Sequence, residues 1–130
     1  MAPAYPFGYG ISYTTYKYGK LSLSANSMDK NGKVTASLTV TNTGNRAGDE
    51  IVQLYIHDIA ASIIRPVKEL KGFKRVHLDA GESKTVEFEI SEPMLKFYNA
   101  DLQFVSEPGD FEIMVGPNSM DVQTLKLTLN

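Results

Sequence analysis

Val34-Thr35-Ala36-Ser37-Leu38-Thr39-Val40-Thr41 decides the fold class. Apolar Val34, Ala36, Leu38 and Val40 alternate strictly with Thr35, Ser37, Thr39 and Thr41, the period-2 pattern of a half-buried strand. On the N-terminal side, Asp29-Lys30-Asn31-Gly32 reads as a tight turn, with Asn-Gly supplying positive φ. Its acidic residue could open a calcium loop, but the further acidic ligands of such a loop are missing. Before it, Leu21, Leu23 and Ala25 alternate with Ser22 and Ser24 and give a first strand. On the C-terminal side, Asn42-Thr43-Gly44-Asn45-Arg46-Ala47-Gly48-Asp49 breaks the pattern, and Ile51 to His57 resumes it with Val52, Leu54 and Ile56 inward. Ile51 and Tyr55 make the other face of that strand partly apolar, so cover is expected there too.

The same alternation continues to the C-terminus. Val86, Phe88 and Ile90 alternate with Glu87 and Glu89, and Phe111, Ile113 and Val115 precede Leu125, Leu127 and Leu129. Turn residues fall between these runs at Asp79-Ala80-Gly81-Glu82, Glu107-Pro108-Gly109-Asp110 and Gly116-Pro117-Asn118-Ser119. Ser91-Glu92-Pro93-Met94-Leu95-Lys96-Phe97 has a capping residue and an early proline, which predicts a single helical turn. Leu102 to Val105 is a short strand. The predicted fold is therefore all-β, a seven-stranded immunoglobulin or fibronectin type III-like β-sandwich.

Two stretches depart from this rhythm. Arg65-Pro66-Val67-Lys68-Glu69-Leu70-Lys71-Gly72-Phe73-Lys74-Arg75-Val76 is too charged for a core strand and too apolar for a loop. It reads as an edge strand: Pro66 has no N–H for a ladder, and the row of Lys and Arg discourages open-edge pairing. Leu70, Val76 and Leu78 share one parity while Phe73 lies on the other, a slip that predicts a β-bulge near Gly72. Residues 3–19 hold five of the seven tyrosines beside three glycines and two prolines. Gly and Pro prevent regular structure while the rings seek burial, so residues 1–19 are expected to form an extended arm and 20–130 the folded domain.

Composition bounds the function. At 130 residues the chain is one domain in size, with ordinary hydrophobic (42%) and charged (22%) fractions that exclude wholesale disorder. A net charge of −2 excludes nucleic acid as a main partner, because phosphate binding needs a concentrated basic face. No apolar run is long enough to cross a bilayer, so no membrane partner is expected. There is no cysteine, and His57 and His77 are the only histidines, so no metal site is expected. The N-terminus has neither the basic nor the apolar region of a secretory signal.

Catalytic groupings are absent as well. Glu87 and Glu89 point outward from one strand and read as solvated charges rather than an acid/base pair across a cleft. His57 and Asp58 are adjacent on a strand and face opposite ways, so they cannot act as base and orienter. With no phosphate loop and no tryptophan platform, we assign no catalytic residue and no cofactor. The three isoleucines of Asp58-Ile59-Ala60-Ala61-Ser62-Ile63-Ile64 suggest contact with something outside the domain.

Three stretches carry a resemblance when taken together: Tyr5-Pro6-Phe7-Gly8-Tyr9-Gly10-Ile11-Ser12-Tyr13-Thr14, Gly48 to Ile56, and Arg65 to Val76. With Glu107-Pro108-Gly109-Asp110-Phe111 and Met114-Val115-Gly116, they resemble the C-terminal fibronectin type III-like domain of family 3 glycoside hydrolases, the β-glucosidase and β-xylosidase family. The resemblance implies that catalysis, by an aspartate nucleophile on a barrel and a glutamate acid/base on an α/β sandwich, belongs to preceding domains of the same polypeptide. It also implies a periplasmic or secreted location and a start near a domain boundary. The expected function is a non-catalytic accessory domain that packs on those catalytic domains and stabilises them. Expected contacts are Tyr5, Phe7, Tyr9 and Tyr13 through their rings and Arg65, Lys68 and Lys71 through their charges. The alternatives are a carbohydrate-binding module, with sugar as a weak partner, and a cell-surface adhesion module.

Overall fold

A computed structural model describes residues 14–59 and 68–130. The strands are Tyr16–Tyr18 (β1), Ser22–Leu23 (β2), Ser27–Met28 (β3), Lys33–Asn42 (β4), Gly48–Asp58 (β5) and Lys68–Leu78 (β6). Ser83–Ser91 (β7), Phe97–Tyr98 (β8), Phe104–Val105 (β9), Gly109–Gly116 (β10) and Gln123–Leu129 (β11) complete them. One sheet is centred on β4, which pairs antiparallel with β7 on one side and with β1 and β2 on the other. The second runs β3-β11-β10-β5-β6, and only its short β3–β11 pairing is parallel. The alternating strands thus stack as a β-sandwich, as the sequence predicts.

Period-2 side-chain alternation makes the core. Val34, Ala36, Leu38 and Val40 are buried with Val86, Phe88 and Ile90 from the first sheet. They meet Val52, Leu54, Ile56, Phe111, Ile113, Val115, Leu127 and Leu129 from the second. The intervening Glu87 and Glu89 are exposed, and Glu89 forms only a solvated pair with Lys33 at 3.7 Å. These carboxylates are surface charges, in line with the sequence reading.

Several local expectations are refined. The first strand is split: β2 pairs with β4, and after Ala25 the chain crosses to the other sheet as β3. Tyr16–Tyr18, for which no strand was predicted, pairs with Val40, Thr41 and Asn42. Asn31 and Gly32 do not adopt the positive φ expected of them. The Asp29 side chain closes that turn instead, its Oδ1 accepting the Asn31 N–H at 3.0 Å. Gly81 does take the left-handed conformation, at φ 77°, where the β6–β7 turn requires it. The predicted helical turn is a short 3-10 helix, Glu92–Leu95, with Pro93 in its first turn; Ser91 occupies the cap position but its side chain makes no cap bond. Leu102 to Val105 contributes only β9, which pairs with β8 outside both large sheets.

Candidate functional site

No group of three His, Cys, Asp or Glu side chains among the described residues could hold a metal. His57 and Asp58 do face opposite ways. The His57 Nδ1 lies 2.8 Å from Glu112 Oε1 on the outer face, whereas Asp58 is buried. Among the described residues, one sheet face exposes large apolar side chains.

That face is built by β5 and β6. Val52, Leu54 and Ile56 point inward, so Asp49, Ile51, Gln53, Tyr55 and His57 point outward. Their cross-strand partners are His77, Arg75, Phe73, Leu70 and Lys68. Leu54 pairs with Gly72 but Tyr55 with Leu70, which leaves Lys71 as the extra residue of a β-bulge. The bulge has a direct result: Leu70 and Phe73, three apart and of opposite parity, emerge on the same face. They are 52% and 64% exposed. Gly72 points inward toward the Phe88 ring and has no positive φ; a Cβ there would meet the ring at an ordinary 3.8 Å, so neither space nor backbone requires glycine. Among the described residues β6 is an edge strand, as predicted.

Polarity is zoned along the face. Ile51, Tyr55, Leu70 and Phe73 form an apolar centre; Met114 on β10, the partner of Tyr55, is buried and adds nothing to its exposed surface. At one end, Asp49 accepts from Arg75 Nε at 2.8 Å and lies 2.7 Å from His77 Nδ1. The His77 bond and then the Arg75 bond hold the Asp49 carboxyl below its usual range, and the Asp49 bond raises His77. At the other end lie His57, Glu112 and Lys68. An apolar centre between charged margins is the anatomy of a protein–protein contact.

The sequence-predicted contact residues distribute unevenly. Tyr5, Phe7, Tyr9, Tyr13 and Arg65 lie outside the described residues, as do Ile63 and Ile64; Ile59 is exposed. Lys68 is on the face, its Nζ donating to the Ser119 carbonyl in the β10–β11 turn. Lys71 is largely covered and pairs with Glu69 at 3.5 Å. The cover expected over Ile51 and Tyr55 is partial, since both are half-exposed. Sequence reasoning did not single out Phe73 and Leu70 as contacts, although the parity slip was the signal that could have found them. Elsewhere, Tyr98 and Phe104 are exposed, but their ring planes are tilted by 44° and form no flat row for a sugar.

A second group that sequence reasoning passed over is Glu50. It points into the sandwich, where the Tyr18 hydroxyl donates to its Oε2 at 2.9 Å and links the two sheets. Burial raises the Glu50 carboxyl above its ordinary 4.5, against the lowering effect of the Tyr18 bond; burial and then the Glu50 charge raise the Tyr18 phenol. A raised carboxyl favours the folded state below the unfolded value, and that advantage is lost as pH rises through the folded one. Glu50→Gln should therefore raise the Tm at pH 7, with the gain disappearing below about pH 4.5, where wild type is protonated in both states. Thermal scans from pH 4 to 8 check this; a variant less stable than wild type at pH 7 would refute it.

The sequence model of the family described as "Fibronectin type III-like domain" matches residues 50–119. The periplasmic β-glucosidase of Salmonella typhimurium is 49% identical over 121 residues, covering 93% of this chain and 16% of that protein. A β-xylosidase of Formosa agariphila is 50% identical over 129 residues, covering 98% and 18%. Among solved structures, the β-glucosidase of Listeria innocua in complex with isofagomine superposes with a TM-score of 0.84 at 42% identity, covering 98% of this chain and 18% of that one. A β-glucosidase of intestinal bacteria involved in saponin metabolism gives 0.87 at 40%, covering 95% and 17%. The chain thus spans less than a fifth of the length of these relatives.

Proposed function

The chain belongs to the fibronectin type III-like domain family, and from that premise we propose that it is a non-catalytic accessory module of a periplasmic or secreted β-glucosidase-type glycoside hydrolase. The longer polypeptide would hydrolyse terminal β-D-glucosyl residues, and this domain would pack on its catalytic domains and hold their arrangement. The observation that carries the reading is the apolar centre on the β5–β6 outer face, where Phe73 and Leu70 stand in solvent between charged margins. Tyr5, Phe7, Tyr9, Tyr13, Arg65, Lys68 and Lys71 are the proposed further contacts. The named activities of the relatives, β-glucosidase and β-xylosidase, support the substrate class, and a periplasmic relative supports the location. No helix of the described residues is long and apolar enough to cross a membrane.

Two measurements test this. The 130-residue chain should give no turnover of an aryl β-glucoside above the uncatalysed rate, and measurable turnover that copurifies with it would end the non-catalytic reading. Phe73→Asp should leave the stability of this chain within about 0.5 kcal/mol, as for an exposed site away from the core. In the longer polypeptide the same change should lower the Tm by several degrees, because it places a charge in an apolar contact. Equal effects in both would remove the docking role from this face. Phe73 is a cleaner probe than Lys68 or Lys71, both of which already have partners within the domain.

A further inference from the structure

The β8–β9 hairpin stands outside both large sheets and presents a second apolar surface. Tyr98 and Phe104 are 61% and 52% exposed, with ring centroids 5.0 Å apart, and Leu102 at the tip is 71% exposed. Leu102 is also the one non-glycine residue with positive φ among the described residues, at 61°. A bulky side chain pays for that conformation, and glycine or asparagine would adopt it more readily. The tip is nevertheless held in place. Asn99 Oδ1 accepts the N–H groups of Asp101 and Gln103 at 2.9 and 3.0 Å, the Asn99 carbonyl accepts that of Leu102 at 2.9 Å, and the Asn99 N–H donates to the Gln103 carbonyl at 3.0 Å. Four bonds centred on Asn99 thus aim an exposed leucine outward from a strained backbone, and neither the core nor solubility explains that expense.

We propose that the tip formed by Tyr98, Leu102 and Phe104 seats in an apolar pocket on the remainder of the same polypeptide, with a cation at the pocket rim facing the exposed Asp101. This rests on the accessory-module reading and adds a contact distinct from the β5–β6 face. Area decides the occupant. Three such side chains offer roughly a few hundred Å² of contact, well short of the roughly 800 Å² per partner of a stable free association. A contact this small holds when its partner is tethered, because linkage raises the effective concentration to about the millimolar range. A second, untethered copy of this chain lacks that help. Preorganisation at Asn99 lowers the ordering cost of the contact.

Side-chain oxidation by hydroxyl radicals reads both surfaces at once, in the longer polypeptide and in the 130-residue chain. Tyr98, Leu102 and Phe104 should be oxidised roughly fivefold or more slowly in the longer polypeptide, a change on the scale of local contact formation. Protection of Phe73 without protection of the hairpin would overturn this proposal and leave the accessory reading standing. Protection of neither would overturn both. Protection that appears only as concentration rises and a dimer forms, or only when soluble β-glucan is added, would also overturn it in favour of a second copy or a sugar. Leu102→Gly supplies the second test, since it relieves the positive φ. The Tm of the 130-residue chain should stay level or rise, while Tyr98 and Phe104 lose their protection in the longer polypeptide. A lower Tm in the 130-residue chain would mark Leu102 as a structural residue and refute the docking role.

Discussion

Replacing Phe111 by alanine should lower the unfolding free energy of this chain by about 3–5 kcal/mol, the cost of removing a large buried ring and leaving a cavity. Phe111 is 1% exposed and lies on the central strand β10, between Leu127 of β11 and Asp58 of β5. The strands on both sides are held by ladder pairing, which limits how far the gap can collapse. A loss of this size is a large share of the 5–15 kcal/mol that holds a typical domain together. Urea unfolding at constant m-value is the measurement, and a loss under about 1.5 kcal/mol would mean that the core does not close around Phe111. Phe73 and Phe104 are the controls. They share the side chain but stand in solvent, so the same change there should be nearly silent in this chain.

Asn42→Ala should cost about 2–4 kcal/mol, through unmet hydrogen bonds rather than lost volume. Asn42 is fully buried at the end of β4, and its side chain serves four groups. Nδ2 donates to the carbonyls of Arg46 and Leu78 at 2.7 and 3.0 Å, and Oδ1 accepts from Thr14 Oγ1 and the Gly44 N–H at 2.8 and 2.9 Å. One residue thereby ties the loop after β4 to the end of β6 and to the point where the N-terminal segment meets the sheet. Alanine removes the donor to the buried Leu78 carbonyl, the expensive case for a buried polar group, together with three part-buried bonds. Asn42→Asp separates the two halves of the site. It keeps the Oδ1 acceptor but sets a second oxygen against two carbonyls, so it should be most damaging at high pH and partly recover on acidification, when the carboxyl can donate. Equal losses for Asn42→Asp at pH 4 and pH 8 would show that the Nδ2 bonds contribute little.

Much of the sandwich was readable residue by residue. Val34 to Thr41 and Val86 to Ile90 have the alternation of strands with one wet face, and their threonines, serines and glutamates do face out. The parity slip around Gly72 anticipated the bulge, because inserting one residue is what breaks a period of two. His57 and Asp58 were separable on the same ground. Asn42 and Glu50 were not legible: in sequence, Asn42 opens a run of turn residues and Glu50 is one more charge beside Asp49. Nothing local distinguishes a polar residue aimed at water from one aimed at buried carbonyls or at the Tyr18 hydroxyl.

By itself, then, the sequence determined the all-β class, the inward set of most strands and the edge character of β6. These follow from local chemistry: side-chain polarity at a period of two, proline and glycine placement, and residue types that are present or missing. Only the tertiary structure decided which polar groups are buried, which face of the second sheet stays apolar, and that the segment over Leu102 to Phe104 leaves both sheets to stand as a separate hairpin. Each of these depends on partners far apart in the chain, such as Asn42 with Leu78, Tyr18 with Glu50, and Tyr55 with Leu70. Such pairings are settled by how strands stack and register against one another, a long-range outcome that no single stretch encodes.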